Sequence, residues 1–364
     1  MNLKLRYLLI ACLALFMLVA CEEATDDEDA TDDITTGDWS LVGAQNITGG
    51  EVRDFGIAMT PAGTPYLIYQ DWDTDEILVK TLSGNTWETV GSGNLAETTG
   101  DQPDIAIAPD GTPYVAFQDE GISDEITVMR YTNGAWEAAG ERGLSPSDGS
   151  NPDLVFASDG RAVVAFNSNE GVLVYGFNGS EWGPLGVPLS GYGEPQLAID
   201  GSDQLYVLRA NDWDSDLYKY DGTRWDTVGT HNFGLPEHAA MDGCILGLDA
   251  AGTPHVVFRN DDDSMTMLVW NGSTWDAVAS PFFTTSEYGP WPEDMLIDDQ
   301  GHVYVALEDD SYANFMAYNG SEWSQLEFEN TLEIGYIRFA KNDAGGLYAA
   351  IVDYDDLLNV YHYE

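Results

Sequence analysis

The sequence predicts an all-β, seven-bladed propeller of four-stranded antiparallel blades, closed by an N-terminal strand that completes the last blade. Three observations lead there: a unit of four strand-like runs repeated along the chain, a tryptophan recurring once per unit, and chain ends that are each a fragment of one unit.

The unit is clearest at 104–141. Residues 105–108 (IAIA) form a short apolar run stopped by Pro109-Asp110-Gly111, and 112–117 (TPYVAF) a run rich in β-branched and aromatic residues. The acidic segment 118–125 leads to a third run at 126–131 (ITVMRY). Asn133-Gly134 then supplies a tight turn into the fourth run, opened by Trp136. The Gly-x-x-Tyr landmark recurs at Gly63/Tyr66, Gly111/Tyr114, Gly301/Tyr304 and Gly345/Tyr348. The tryptophan recurs at Trp39, Trp87, Trp136, Trp182, Trp225, Trp275 and Trp323. Spacings of roughly 43 to 50 residues suit four-stranded propeller blades.

The first repeat element, Asp38 to Gly43, is a tryptophan strand without its three predecessors. The last, Leu357 to Tyr363, is a third strand that stops where a tryptophan strand should follow. Joined, they make one blade and leave no open sheet edge for a capping repeat to cover.

Ahead of the repeats, Lys4 and Arg6 precede an apolar run from Tyr7 to Ala20 and then Cys21, the pattern of a secretory signal. Leu18-Val19-Ala20-Cys21 resembles the bacterial lipobox, which implies that Cys21 is acylated and becomes the mature N-terminus. The expected organisation is a lipoprotein signal peptide at 1–20, an acidic flexible tether at 21–36 and the propeller at 37–364. The tether is too poor in apolar residues to fold, and acidic runs after such a cysteine resemble surface-export signals of some diderm bacteria. The expected location is the bacterial cell envelope, at the outer membrane, held by lipid. Only Cys244 would remain in the propeller, a buried thiol within an apolar run.

A net charge of -50, from 63 acidic and 13 basic residues, excludes nucleic acid as a partner and suits a salt-rich habitat. The chain is expected to be a monomer.

In a propeller of this phase, the tight first-to-second and third-to-fourth turns share one face. The second-to-third loops and the connections between blades share the other, where binding is expected. Those loops are acidic. Asp71-Trp72-Asp73-Thr74-Asp75 and Asp212-Trp213-Asp214-Ser215-Asp216 carry alternating carboxylates that could converge on Ca2+, and resemble the start of an EF-hand loop without its Gly and distal Glu. Solvated hairpin tips are the simpler reading. Trp72, Trp213, Tyr288 and Trp291, with Phe282 and Phe283, place aromatic rings beside carboxylates, as glycan-binding or protein-binding surfaces do.

Asp54, Asp104, Asp153 and Asp294, with Gln196 in the matching slot, form an acid column before the first strands. It reads either as an acid/base pair at the channel mouth or, since it recurs from blade to blade, as turn capping. Arg209 fills a slot held by Tyr69, Phe117, Phe166 and Phe258. Arg338 fills one held by Ala58, Ala106 and Ala198. Each is read as a buried ion pair or as a ligand for an anion or carboxylate.

Turns such as Asn178-Gly179-Ser180-Glu181-Trp182 and Asn319-Gly320-Ser321-Glu322-Trp323 resemble degenerate Asp-boxes of sialidase-like propellers, and the repeats as a whole resemble secreted bacterial propeller proteins of unassigned function. Asp-boxes are structural, and the sialidase arginines and tyrosine cannot be placed here. The five histidines form no metal pair, and no nucleophile or phosphate-loop motif occurs. The sequence therefore predicts a lipid-anchored binding or scaffold propeller that engages a glycan or a protein through its loop face and has no identified catalytic residue. The alternative is a glycan-active hydrolase or lyase using channel-mouth carboxylates.

Overall fold

The computed structural model of the chain describes residues 37–211, 214–235, 242–260, 262–278, 289–328 and 334–364. The signal peptide, Cys21, the tether, Asp212, Trp213, Phe282, Phe283 and Tyr288 lie outside them.

Seven four-stranded antiparallel sheets form, as the repeats predict. Blade 1 runs Val52–Met59, Pro65–Asp71, Ile77–Ser83 and Thr86–Thr89. Blades 2 to 6 repeat the pattern from first strands at Gly100–Ile107, Gly149–Phe156, Glu194–Ile199, Asp242–Leu248 and Trp291–Ile297. Blade 7 takes three strands from the C-terminal end, Ile334–Lys341, Leu347–Asp353 and Leu358–Tyr363, and its fourth from the N-terminal side, β1 (Trp39–Leu41). Trp39 pairs with Tyr363 and Leu41 with Tyr361, and Asp38 and Glu364 exchange backbone hydrogen bonds beyond them. First strands touch their neighbours in an unbroken circle, blade 7 against blade 1 included.

Hydrophobic cores lie between blades. Phe117, Phe166 and Phe258 occupy one register position of the second strands of blades 2, 3 and 5 and are fully buried, each stabilising the stack by roughly 2 kcal/mol through area removed from water. At the outer edge, blades 1 to 5 are each pinned to the one before. The indole N–H groups of Trp87, Trp136, Trp182, Trp225 and Trp275 donate to the carbonyls of Val42, Val90, Ala139, Leu185 and Val228 at 2.5 to 3.1 Å. Every acceptor stands three residues after the preceding blade's tryptophan. The next residue is glycine, at 43, 91, 140, 186 and 229, with φ between 77° and 89°. A Cβ at any of these would press on the incoming indole, at 2.6 Å for Gly91 against Trp136. The repeat is thus Trp-x-x-x-Gly because the next blade's ring needs that space.

The Asn-Gly-Ser turns are locally capped. Asn178 Oδ1 accepts from the N–H of Ser180 and Glu181, and Asn319 Oδ1 from those of Ser321 and Glu322, at 2.9 to 3.0 Å. This side-chain mimicry of a backbone turn is why Asn recurs there.

Gly91→Ala and Gly93→Ala separate conformation from packing, because both glycines are left-handed and only Gly91 faces a ring. Urea unfolding should give a loss of about 1 kcal/mol for Gly93→Ala and about 3 kcal/mol for Gly91→Ala. Equal losses would mean that the indole does not need the space.

Candidate functional site

The innermost strand of each blade has a partner on one side only, so its other row of N–H groups must find acceptors elsewhere. The acid column supplies them. Asp104 Oδ2 accepts from Leu154 N, Asp153 Oδ2 from Leu197 N, Gln196 Oε1 from Leu246 N and Asp294 Oδ2 from Phe339 N, at 2.6 to 2.9 Å. In each case a side chain of one blade holds the first strand of the next. The column thus bridges blades instead of capping its own turns.

Register also corrects which residues belong to it. In every blade the slot lies opposite the fourth residue of the second strand. Its occupants are Gly56, Asp104, Asp153, Gln196, Ile245, Asp294 and Arg338. Asp54 stands two residues before the slot of blade 1. Arg338 belongs to the acid slot and not to the alanine slot, which Ala340 fills.

Where the column breaks, ionisable groups gather at the start of the first strands of blades 6, 7, 1 and 2. The Arg338 side chain is 43% exposed, lies 3.6 Å from Glu293 Oε2 and sits 5.9 Å from the centre of the Phe55 ring. Burial pushes Glu293 up to about 7 against the pull of Arg338. Burial also raises Asp54, which shares a hydrogen bond with Asp101, and takes Asp104 up to about 6. Asp153 is raised by burial and by the charges of Asp104 and Asp294. These carboxyls keep some surface toward the ring axis yet have protein on every side, so water screens them poorly. Near neutral pH the mouth offers carboxylic acids, carboxylates and a guanidinium side by side, a donor and acceptor set for hydroxyl or carboxylate groups.

Exposed aromatic rings share the loop face with this mouth. Among the described residues, every strongly exposed aromatic side chain (Trp72, Tyr192, Tyr312, Tyr336 and Tyr354) lies on the loop face. Trp72, 45% exposed, stacks under the Arg53 guanidinium at 4.5 Å. Tyr336 precedes Arg338 by two residues on the same first strand. Trp291 does not stand in a long aromatic loop: it opens the first strand of blade 6, half-buried, with Arg259 at 5.4 Å from its ring. Sequence reasoning missed Tyr192, Tyr312, Tyr336 and Tyr354. Glu293 was also missed, although it breaks the proline pattern of Pro103 and Pro152.

The remaining sequence-nominated residues are engaged locally. Arg209 is buried, with Asp216 Oδ2 at 2.9 Å and Asp214 Oδ2 at 3.2 Å. His231 Nδ1 and the Asn232 N–H also reach Asp216, and these partners hold its carboxyl below the usual range despite burial. Asp71 Oδ1 accepts from the N–H groups of Asp73 and Thr74, and Asp75 pairs with Arg53 at 3.1 Å. Asp73 is exposed. Among the described residues no group of three or more His, Cys, Asp or Glu is arranged to hold a metal ion. Cys244 is buried and burial pushes its thiol up, an inert setting. Two grooves of about 410 and 720 Å³ lie away from the mouth, between the outer strands of blades 4 and 5 and of blades 1 and 2.

Asp104→Ala should lose about 1–3 kcal/mol by orphaning the Leu154 N–H, while Asp104→Asn keeps an acceptor. Because the folded-state value of Asp104 is raised, its contribution is greatest below about pH 4 and fades as pH rises through about 6. Asp104→Asn should therefore match or exceed the parent in thermal stability at pH 8 and lose that advantage near pH 4. An Asn variant as unstable as the Ala variant at pH 8 would contradict the acceptor role.

No protein-family model matches the chain, and no curated protein does. Solved structures similar to it are propellers of differing function. A catalytically inactive virginiamycin B lyase from Staphylococcus aureus, solved with quinupristin, has a TM-score of 0.64 at 10% identity, over 90% of this chain and 100% of that one. An ulvan lyase bound to a glucuronate–sulfated rhamnose chain gives 0.57 at 11%, over 89% and 93%. The Aleuria aurantia lectin in complex with fucosyl-N-acetylglucosamine gives 0.51 at 12%, over 88% and 93%. At these identities the likeness is one of fold, and the fold is that of a seven-bladed β-propeller.

Proposed function

We propose that the protein is a lipid-anchored binding propeller of the bacterial envelope whose loop face engages a glycan, with Arg338 as its anion-reading residue. The observation that carries this is the gathering of every strongly exposed aromatic ring of the described residues on the face whose mouth holds Arg338. Rings stack on sugar faces, and the mouth's carboxyls and guanidinium answer hydroxyls and carboxylates. Arg338 occupies the slot that four other blades spend on holding their neighbour, yet a large part of its side chain remains open. Two of the similar propellers carry glycans in their structures, which fits this reading. A protein partner would use the same exposed rings.

A glycan-active enzyme is the second reading, favoured by Glu293, an acid raised to about 7 beside a cation. Turnover of any captured glycan that is abolished by Glu293→Gln would establish it.

Glu293 also competes with an acidic ligand for Arg338. As pH falls through about 7, Glu293 takes a proton and the guanidinium is released. Affinity for a uronate-bearing oligosaccharide, measured by calorimetry, should therefore rise from pH 8 to pH 6. Glu293→Gln should flatten that dependence, and Arg338→Gln should weaken uronate binding by about tenfold or more. An Arg338→Gln protein with parental affinity would refute the site.

The anchor is tested separately. Expressed in a diderm host with a labelled fatty acid, the parent should carry label and sediment with membranes. Cys21→Ala should lose the label, and a labelled Cys21→Ala protein would refute the assignment.

A further inference from the structure

The junction between blades 3 and 4 contains polar atoms that the mouth does not use. Asn167 is 1% exposed, and neither its Nδ2 nor its Oδ1 has a partner; the Nε of buried Arg209 has none either. Register brings the two residues to the same junction. Asn167 lies opposite Val172, on the face that carries Ala165 and Val163. Arg209 lies on the face of blade 4 that carries Val207 and Leu205, and these four aliphatic residues share one core. Asn167 and Arg209 thus continue that core toward the loop face as its polar end.

The segment Leu189-Ser190-Gly191-Tyr192-Gly193 covers that end. Leu189 exchanges backbone bonds with Val172, and Arg209 Nη1 donates to the Tyr192 carbonyl at 3.3 Å. Both glycines are needed there, because a Cβ at 191 or 193 would lie 3.2 or 2.8 Å from the Arg209 side chain. Between them the Tyr192 ring stands 65% exposed.

We infer that this junction is a second subsite of the loop face, in which Tyr192 stacks on a neutral sugar while a hydroxyl of that sugar reaches Asn167 and Arg209 Nε. The charge argument selects a neutral group: Asp216 and Asp214 already balance the Arg209 cation, and an added anion would meet both carboxylates. The donor and acceptor argument selects a hydroxyl, since Asn167 offers both roles and Arg209 Nε only donates. Entry requires the Tyr192 segment to move and its carbonyl to release the bonds donated by Arg209 Nη1 and Asn211 Nδ2.

This inference rests on the reading of the loop face as a glycan surface, and one array of neutral and uronate-bearing oligosaccharides tests the two apart. Asn167→Leu should reduce capture of neutral glycans about tenfold and leave uronate capture unchanged, Tyr192→Ala should lower neutral capture by more than it lowers uronate capture, and Arg338→Gln should lower uronate capture most. Tyr192 is a surface residue, so its variant stays informative even where Asn167→Leu perturbs the core. The inference is overturned if neutral capture survives in both variants, as it would if Asn167→Leu only raised the melting temperature by removing an unpaired amide. It is also overturned if the parent captures uronates and no neutral glycan, an outcome that leaves the Arg338 reading intact. Capture of neither class overturns both.

Discussion

A strand at the inner edge of a sheet exposes a row of N–H groups that no neighbouring strand can satisfy, and seven such edges face one another around the axis of this ring. The structure depends on how they are answered. Asp104, Asp153, Gln196 and Asp294 lend an oxygen to the next blade's first strand, while tryptophan indoles do the corresponding work at the outer edge. Where both devices are present, a blade is held at two radii by side chains that recur at one position of the repeat. A stack of sheets that would otherwise slide on apolar faces is given a fixed rotation and register.

Such a scheme leaves function to the exceptions. Gly56, Ile245 and Arg338 cannot accept a hydrogen bond from the next blade through their side chains, so the inner ladder is interrupted at those blades. Beside Gly56 and Arg338 stand Asp54 and Glu293, acids that burial makes reluctant to ionise. A chain of net charge -50 thus keeps a locally mixed site, because a guanidinium in place of one carboxylate alters the balance of all its neighbours.

Most of the fold was legible because its determinants are local. Asn-Gly turns, Gly-x-x-Tyr and the tryptophan phase each report on a few consecutive residues, and the incomplete units at either end announced the closing strand. The site was less legible. Arg338 drew notice as an oddity, but it stands two residues from the slot the repeat suggested, because only strand register sets it opposite Ala350. The acid column was visible as a column, while its role depends on which blade each carboxyl leans toward, a fact held in the rotation between sheets. In the described part of the Asp-Trp-Asp-x-Asp loops, Asp71 folds back on its own turn and Asp216 serves Arg209, partners that the alternation of carboxylates does not reveal. Exposure of Tyr192 and Tyr336 depends on both flanking blades and leaves no local mark.

The backbone bonds exchanged by Asp38 and Glu364 bring the two ends of the propeller within one rung of each other. A short peptide could therefore splice them, and new ends could be cut at a solvent-facing hairpin such as Asn133-Gly134 without changing any contact inside the ring. In such a circular permutant the N-terminal extension could be moved to a different blade, so that its place relative to the loop face becomes a matter of where the chain is cut.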